Sequence, residues 1–205
     1  MNIQAIGFDY GGVIGGGGKL GKRFTQTMCE ILEISKEEYD QVYFSHNHLI
    51  NTGKVATWKE FWTIVLKLWG KSDKLDEVMN YSNSISSDYA AFDQKILALI
   101  STLRSHHLKT GLLSNATIEN GKALRSKGLQ KYFDTFYISA EVGYQKPDPK
   151  AFQLFAKNLG VSLNELVFID DAQKSLSTAK ECGYTPILYR SYEQLINELG
   201  ALGVL

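Results

Sequence analysis

The sequence predicts an α/β fold: a doubly wound parallel sheet with an inserted helical cap. Three observations predict it. Short apolar runs at 3–9, 110–114, 135–139, 166–170 and 186–189 each end in polar or glycine turns, the signature of buried strands. Helical patterns separate the last four runs, and strand–helix alternation implies a parallel sheet covered by helices. The stretch from about 16 to 90 breaks that rhythm, with helical patterning and no clear strand. Residues 1–15 and 91–205 are therefore expected to form a Rossmann-like core domain, and 16–90 a helical cap over its active edge.

The first run, Ile6-Gly7-Phe8-Asp9-Tyr10-Gly11-Gly12-Val13, is an apolar strand that ends in a glycine turn. Gly11, Gly12 and Gly15 to Gly18 then form a glycine-rich segment. It lacks the Walker spacing, because Leu20 follows Lys19, and it lacks the third glycine of a dinucleotide fingerprint. It reads either as a hinge on which a cap moves or as a plain connector. In the cap, Ser35 with Glu38 and Thr57 with Glu60 mark helix starts. Phe61, Ile64, Val65, Leu68 and Trp69 recur at helical spacing and predict a packed face. His46 and His48, two apart, point to different sides of a helix, so a shared metal is not expected.

In the core, Phe92, Ile96, Leu99, Ile100 and Leu103 predict a helix, with His106 and His107 at its end as partners of the helix dipole. Asp148-Pro149 is a helix start, with Asp as N-cap and Pro at the first position. Phe152, Phe155, Ala156 and Leu159 continue that helix. Ser162 with Glu165 and Ser191 with Gln194 have capping-box spacing.

Composition excludes several classes. Lys+Arg and Asp+Glu are both 22, for a formal net charge of zero. That argues against a nucleic-acid binder working through a basic surface. No run approaches the roughly 20 apolar residues of a membrane helix. Cys29 and Cys182 are too few for a disulfide framework or a Cys-rich zinc site, and read as two buried reduced thiols. A globular protein of a reducing compartment, most simply the cytoplasm, is expected. Oligomeric state is not legible.

Chemistry-bearing residues fall at strand ends. Asp9 closes the first run. In open α/β sheets the crevice outside the strand ends holds ligands. Asp170 and Asp171 close the Phe168-Ile169 run, where two adjacent acids repel each other unless a cation is present. With Asp9 they offer an all-oxygen set that suits Mg²⁺. Ser114 and Asn115 follow Leu112-Leu113. A hydroxyl and backbone amides there can hold a phosphate oxygen, although Ser-Asn is also ordinary turn chemistry. Lys146 precedes Pro147 in Gly143-Tyr144-Gln145-Lys146-Pro147-Asp148-Pro149. Tyr10, Tyr144, Trp58 and Trp62 either line a pocket or pack.

Asp9, Ser114, Lys146 and the Asp170-Asp171 pair, in this order, resemble the four motifs of the haloacid dehalogenase-like hydrolases, in the subgroup with a helical cap. The resemblance implies that Asp9 is a nucleophile that forms an aspartyl-phosphate, and that Ser114 and Asn115 bind the phosphate. Lys146 would neutralise the phosphate and the nucleophile together. Asp9, the carbonyl of Gly11, Asp170 and Asp171 would hold Mg²⁺, with Asp171 as a direct ligand and Asp170 acting largely through water.

One position departs from the pattern. Most phosphatases of this family carry a second Asp where Gly11 stands. The carbonyl survives, but the usual general acid and base is gone, a group worth about 10²–10⁴-fold. The loss matters least for acyl, anomeric or aryl phosphates. The expectation is a Mg²⁺-dependent phosphohydrolase acting on a small phosphorylated metabolite, with an activated leaving group or a sugar phosphate. The alternative is a weak or inactive phosphate- or partner-binding protein. A haloacid dehalogenase is a third reading, but it would leave Asp170-Asp171 unexplained.

Overall fold

The computed structural model describes residues 2–15, 18–85 and 91–205. Five strands form one sheet: β1 (Ala5–Phe8), β2 (Lys109–Ser114), β3 (Thr135–Ile138), β4 (Leu166–Asp170) and β5 (Thr185–Leu188). Each matches a run read from the sequence to within two residues. The order is β3-β2-β1-β4-β5, and every pairing is parallel. The chain winds outward from β1 through β2 to β3, then returns to place β4 on the other side. The switch point therefore lies between β1 and β4, where Phe8 pairs with Ile169. Asp9 and Asp170 are the next residues on these two strands.

Strand parity sorts the core into two layers. Ile6, Phe8, Leu112, Val167 and Ile169 face one cluster, with α5 (Gln94–Ser105) and α8 (Tyr192–Ala201) packed on it. Ala5, Leu113, Leu166 and Phe168 face the other, covered by α7 (Pro149–Leu159). Gly7 and Gly111 are register partners on β1 and β2. Together they leave a slot for the Phe155 ring. A Cβ on Gly7 would lie 2.7 Å from Phe155 Cε1, and one on Gly111 would lie 2.5 Å from its Cζ. Helix α7 thus sits close on the sheet, and its N-terminus follows the Lys146 loop directly.

Between β1 and α5 lie α1 (Gly18–Leu32), α2 (Lys36–His46), α3 (Trp58–Leu68) and α4 (Leu75–Ser84), around a separate apolar cluster. Ser35 and Thr57 cap α2 and α3 as their spacing predicts, accepting from Glu38 N and Glu60 N. The packed face of α3 differs from the predicted one. Phe61, Trp62, Val65 and Leu66 are buried, whereas Ile64 and Leu68 are 38% and 55% exposed. The period holds, but the buried stripe is rotated toward Trp62. Periodicity alone cannot choose between two apolar stripes on one helix.

The chain leaves β1 through a tight turn. Tyr10 O accepts from Ile14 N (2.9 Å) and Gly15 N (3.0 Å). Asp93 N donates to Ile14 O (2.7 Å), so the two chain passages beside the cap are joined there. Tyr10 is fully buried and packs edge-on against Phe92. Residues 11–15 are therefore knitted to the core, and Gly16 and Gly17 of the glycine-rich segment lie outside the described residues. So do residues 86–90 of the expected cap. Cys29 and Cys182 are free, and half-buried rather than buried. Among the described residues no helix is long and apolar enough to cross a membrane.

Candidate active site

The carboxyl ends of β1, β2 and β4 meet the 143–149 loop, and four ionisable side chains converge there. Asp9 N donates to Ile169 O (2.8 Å), which fixes the chain just past β1. Asp9 Oδ1 accepts from Tyr10 N (2.7 Å) and lies 2.8 Å from Lys146 Nζ. Lys146 Nζ also donates to Asp170 Oδ2 (2.5 Å). Asp170 is fully buried, and its other oxygen accepts from Ala172 N (2.8 Å). Both Asp170 oxygens are therefore committed within the protein. Asp171 is exposed, and one oxygen from each of Asp9, Asp170 and Asp171 falls within a 4.8 Å cluster.

Lys146 is 3% exposed, unusual for an ammonium, and its surroundings explain how it is held. Its backbone N donates to Asn115 Oδ1 (2.7 Å), and its carbonyl accepts from Asn115 Nδ2 (2.9 Å). Asn115 thus clamps the Lys146 backbone with both ends of its carboxamide. Thr178 Oγ1 donates to Pro147 O (2.9 Å) and ties down the next residue. The Phe168 ring lies below, 5.1 Å from Nζ. Sequence reasoning placed Asn115 at the site but missed this clamp, which spans 31 residues. Ser114 is buried at the end of β2. Beyond it Ala116 N donates to Ser139 Oγ (3.0 Å), so that amide is already used.

Burial pushes the Asp9 carboxyl up to about 7 from its ordinary 3.8; Lys146 opposes the shift and Asp170 adds to it. Burial acts to lower Lys146, but Asp9 and Asp170 outweigh it, and the ammonium is held above its usual value. Asp171, although exposed, is also raised, by partial desolvation of its carboxyl and then by Asp170. Besides this desolvation, the cluster carries a charge surplus. Three carboxylates face one ammonium, which leaves two negative charges when every acid is ionised. A proton on Asp9 relieves that surplus; a divalent cation would relieve it fully. The donor set consists of hard oxygens, as Mg²⁺ requires.

The two glycines after Asp9 differ. Gly12 has a positive φ of 74°, and a Cβ there would lie 1.9 Å from Asp171 Oδ2. No side chain fits at 12 while Asp171 keeps its place. Among the described residues, a Cβ on Gly11 would have only Asp9 Oδ2 within 4 Å, at 3.9 Å. The position of the missing acid is therefore open.

The cap histidines are engaged locally. His46 Nδ1 lies 2.8 Å from Val42 O, and His48 Nδ1 lies 3.0 Å from Ser45 O. Of the aromatic candidates, Trp62 is buried in the cap core, and Tyr144 packs under Lys150. Trp58 lines a cleft of about 330 Å³ between the cap and α6 (Ile118–Ser126).

Known proteins share this architecture. The chain is 30% identical over 129 residues to bifunctional epoxide hydrolase 2 of Sus scrofa, covering 58% of this chain and 23% of that protein. It is 28% identical over 127 residues to a phosphatase of Mycobacterium tuberculosis, covering 58% of each. The chain thus spans less than two thirds of either relative. A HAD family enzyme from Bacteroides thetaiotaomicron has the same fold, with a TM-score of 0.71 at 20% identity, over 96% of this chain and 99% of that one. A model of the haloacid dehalogenase-like hydrolases matches residues 3–183. With that match over most of its length, the chain belongs to the haloacid dehalogenase-like hydrolase family.

Proposed function

We propose that this protein is a Mg²⁺-dependent phosphohydrolase that acts on a small phosphorylated metabolite through an aspartyl-phosphate on Asp9. The observation that carries the reading is Lys146 Nζ, buried between Asp9 (2.8 Å) and Asp170 (2.5 Å), with Asp171 completing the oxygen cluster. Asp9, Asp170, Asp171 and the Gly11 carbonyl would hold the cation. Bound there, Mg²⁺ would offset the surplus charge and draw a phosphate oxygen to the site.

Asp9 is the attacking group. Tyr10 N and Lys146 contact its Oδ1 and orient the carboxylate, so that one oxygen attacks phosphorus while the other would face the cation. The P–O bond to the leaving group breaks as the Asp9–phosphorus bond forms. Water then attacks phosphorus and releases inorganic phosphate and the Asp9 carboxylate. Lys146 supports the charge on the phosphate oxygens as a point charge. Ser114 would bind a phosphate oxygen at the end of β2. Asn115 acts by keeping Lys146 in place, beside any contact of its own with phosphate. With glycine at 11, no side chain there protonates the leaving group, so acyl, aryl or anomeric phosphates are favoured over alkyl ones.

The test is phosphate release from acetyl phosphate and p-nitrophenyl phosphate, with Mg²⁺ and with EDTA, in the parent and in Asp9→Asn. The reading expects turnover that needs both Mg²⁺ and Asp9. The bare Gly11 position favours one second reading, a phosphate-binding protein of little activity. Binding of Mg²⁺ and phosphate without turnover of either ester would identify it.

A further inference from the structure

The cleft at the cap–core junction has its own chemistry. Its core wall is the first two turns of α6, including Glu119 and Asn120, which follow Ser114 within one short loop. It therefore opens at the same edge of the sheet as Asp9. Its cap wall includes Leu20, Phe24, Tyr43 and Trp58. Glu119 is the only charged side chain among the described residues that line it.

The aromatic wall is rigidly backed. Trp58 stacks on Trp62, with centroids 6.2 Å apart and planes at 20°. Phe24 stacks on Tyr81 at 5.8 Å and 15°. Tyr43 packs against Trp62 at 5.9 Å, and Trp62 is fully buried. Rings already fixed in place bind a flat apolar group with little further loss of side-chain freedom. The lone carboxylate works the other way on anions: Glu119 is exposed, so its repulsion of a second negative charge is modest and weakens with salt.

Resting on the phosphohydrolase reading, we infer that this cleft receives the leaving group and selects monophosphates whose leaving group is planar, largely apolar and without negative charge. Sugar bisphosphates and phosphorylated carboxylic acids are disfavoured by the same surface. Trp58 is the apolar selector and Glu119 the charge selector.

The test compares kcat/KM for three compounds in the presence of Mg²⁺. Acetyl phosphate asks nothing of the cleft and reports the chemistry alone. Phenyl phosphate and 4-carboxyphenyl phosphate differ only in the added carboxylate, which makes the second the better leaving group. Intrinsic reactivity therefore favours the carboxylated ester. The inference expects the reverse, with phenyl phosphate ahead by about ten-fold through KM. In Glu119→Lys the order should invert. In Trp58→Leu kcat/KM for phenyl phosphate should fall while that for acetyl phosphate is kept. Equal or faster turnover of the carboxylated ester by the parent would overturn the inference, as would a Glu119→Lys change that affects both aryl esters alike. Those results leave the acetyl phosphate signal standing. Loss of that signal in the parent instead refutes the phosphohydrolase reading itself, and the cleft's role with it.

Discussion

The Lys146–Asp170 pair and the cap interior are both buried, and they are held together in different ways. At the edge every buried charge has partners: Lys146 bridges Asp9 and Asp170, and Asp170 also takes Ala172 N. In the cap, Tyr39 Oη, Trp62 Nε1, Trp69 Nε1 and Tyr81 Oη are buried with no hydrogen-bond partner among the described residues. What holds the cap is ring stacking and apolar area, as in Tyr39 on Tyr43 (5.1 Å) and on Trp69 (5.7 Å). A polar network fixes one geometry and fails when a member is lost. An apolar cluster tolerates change. The fold thus places the charged cluster at the edge of the core sheet and leaves the cap to shape the cleft.

Four substitutions probe that contrast. Lys146→Met should have the largest effect, because it leaves Asp9 and Asp170 facing each other without their buried cation. Removing one partner from such a set costs about 3–5 kcal/mol, read as a fall in the denaturation midpoint, and turnover should be lost with it. Gly11→Asp should act chiefly on chemistry, since a side chain has room there, although it adds a carboxylate beside Asp9. It should raise kcat on an alkyl phosphate by about 10²-fold, while leaving acetyl phosphate far less changed. Gly111→Ala should cost about 1–3 kcal/mol by forcing a methyl group into the Phe155 ring, measured by denaturant unfolding. Tyr39→Phe should show the smallest effect and the opposite sign. It deletes an orphaned hydroxyl and should be neutral or stabilising by up to about 1 kcal/mol.

The pH dependence belongs to the catalytic edge too. In the metal-free protein Asp9 holds its proton up to about pH 7, against 3.8 for a free side chain. The folded state binds that proton more tightly than the unfolded one. Its stabilising contribution is therefore complete below about pH 4 and is lost as pH rises through 7. Mg²⁺ competes with the same proton, so its affinity should weaken as pH falls below 7. Calorimetric titration at pH 6 and pH 8 checks both the sign and the window.

Much of this was legible in the sequence. Each strand is a short apolar run, and Asp9, Ser114, Lys146 and Asp170 fall at run ends or in a Pro-rich loop, where sequence position predicts spatial position. Pairwise geometry was not legible. Nothing local links Asn115 to Lys146, and the Gly7–Gly111 slot exists only once two strands align. The buried face of α3 was misplaced because Trp62 and Leu66 form an apolar stripe as good as Ile64 and Leu68. Only the neighbouring helices decide between them. Spacing places Asp170 beside a cation site, but its bond to Lys146 is a contact that spacing cannot reveal.

The central claim is covalent: Asp9 carries the phosphoryl group. The most direct measurement is rapid acid quench of the protein turning over acetyl phosphate with Mg²⁺, followed by peptide mass mapping. The account predicts a phosphoryl group on Asp9, absent with EDTA and absent in Asp9→Asn. Phosphate release with Asp9 unmodified throughout, or a phosphoryl group on another residue, would contradict it.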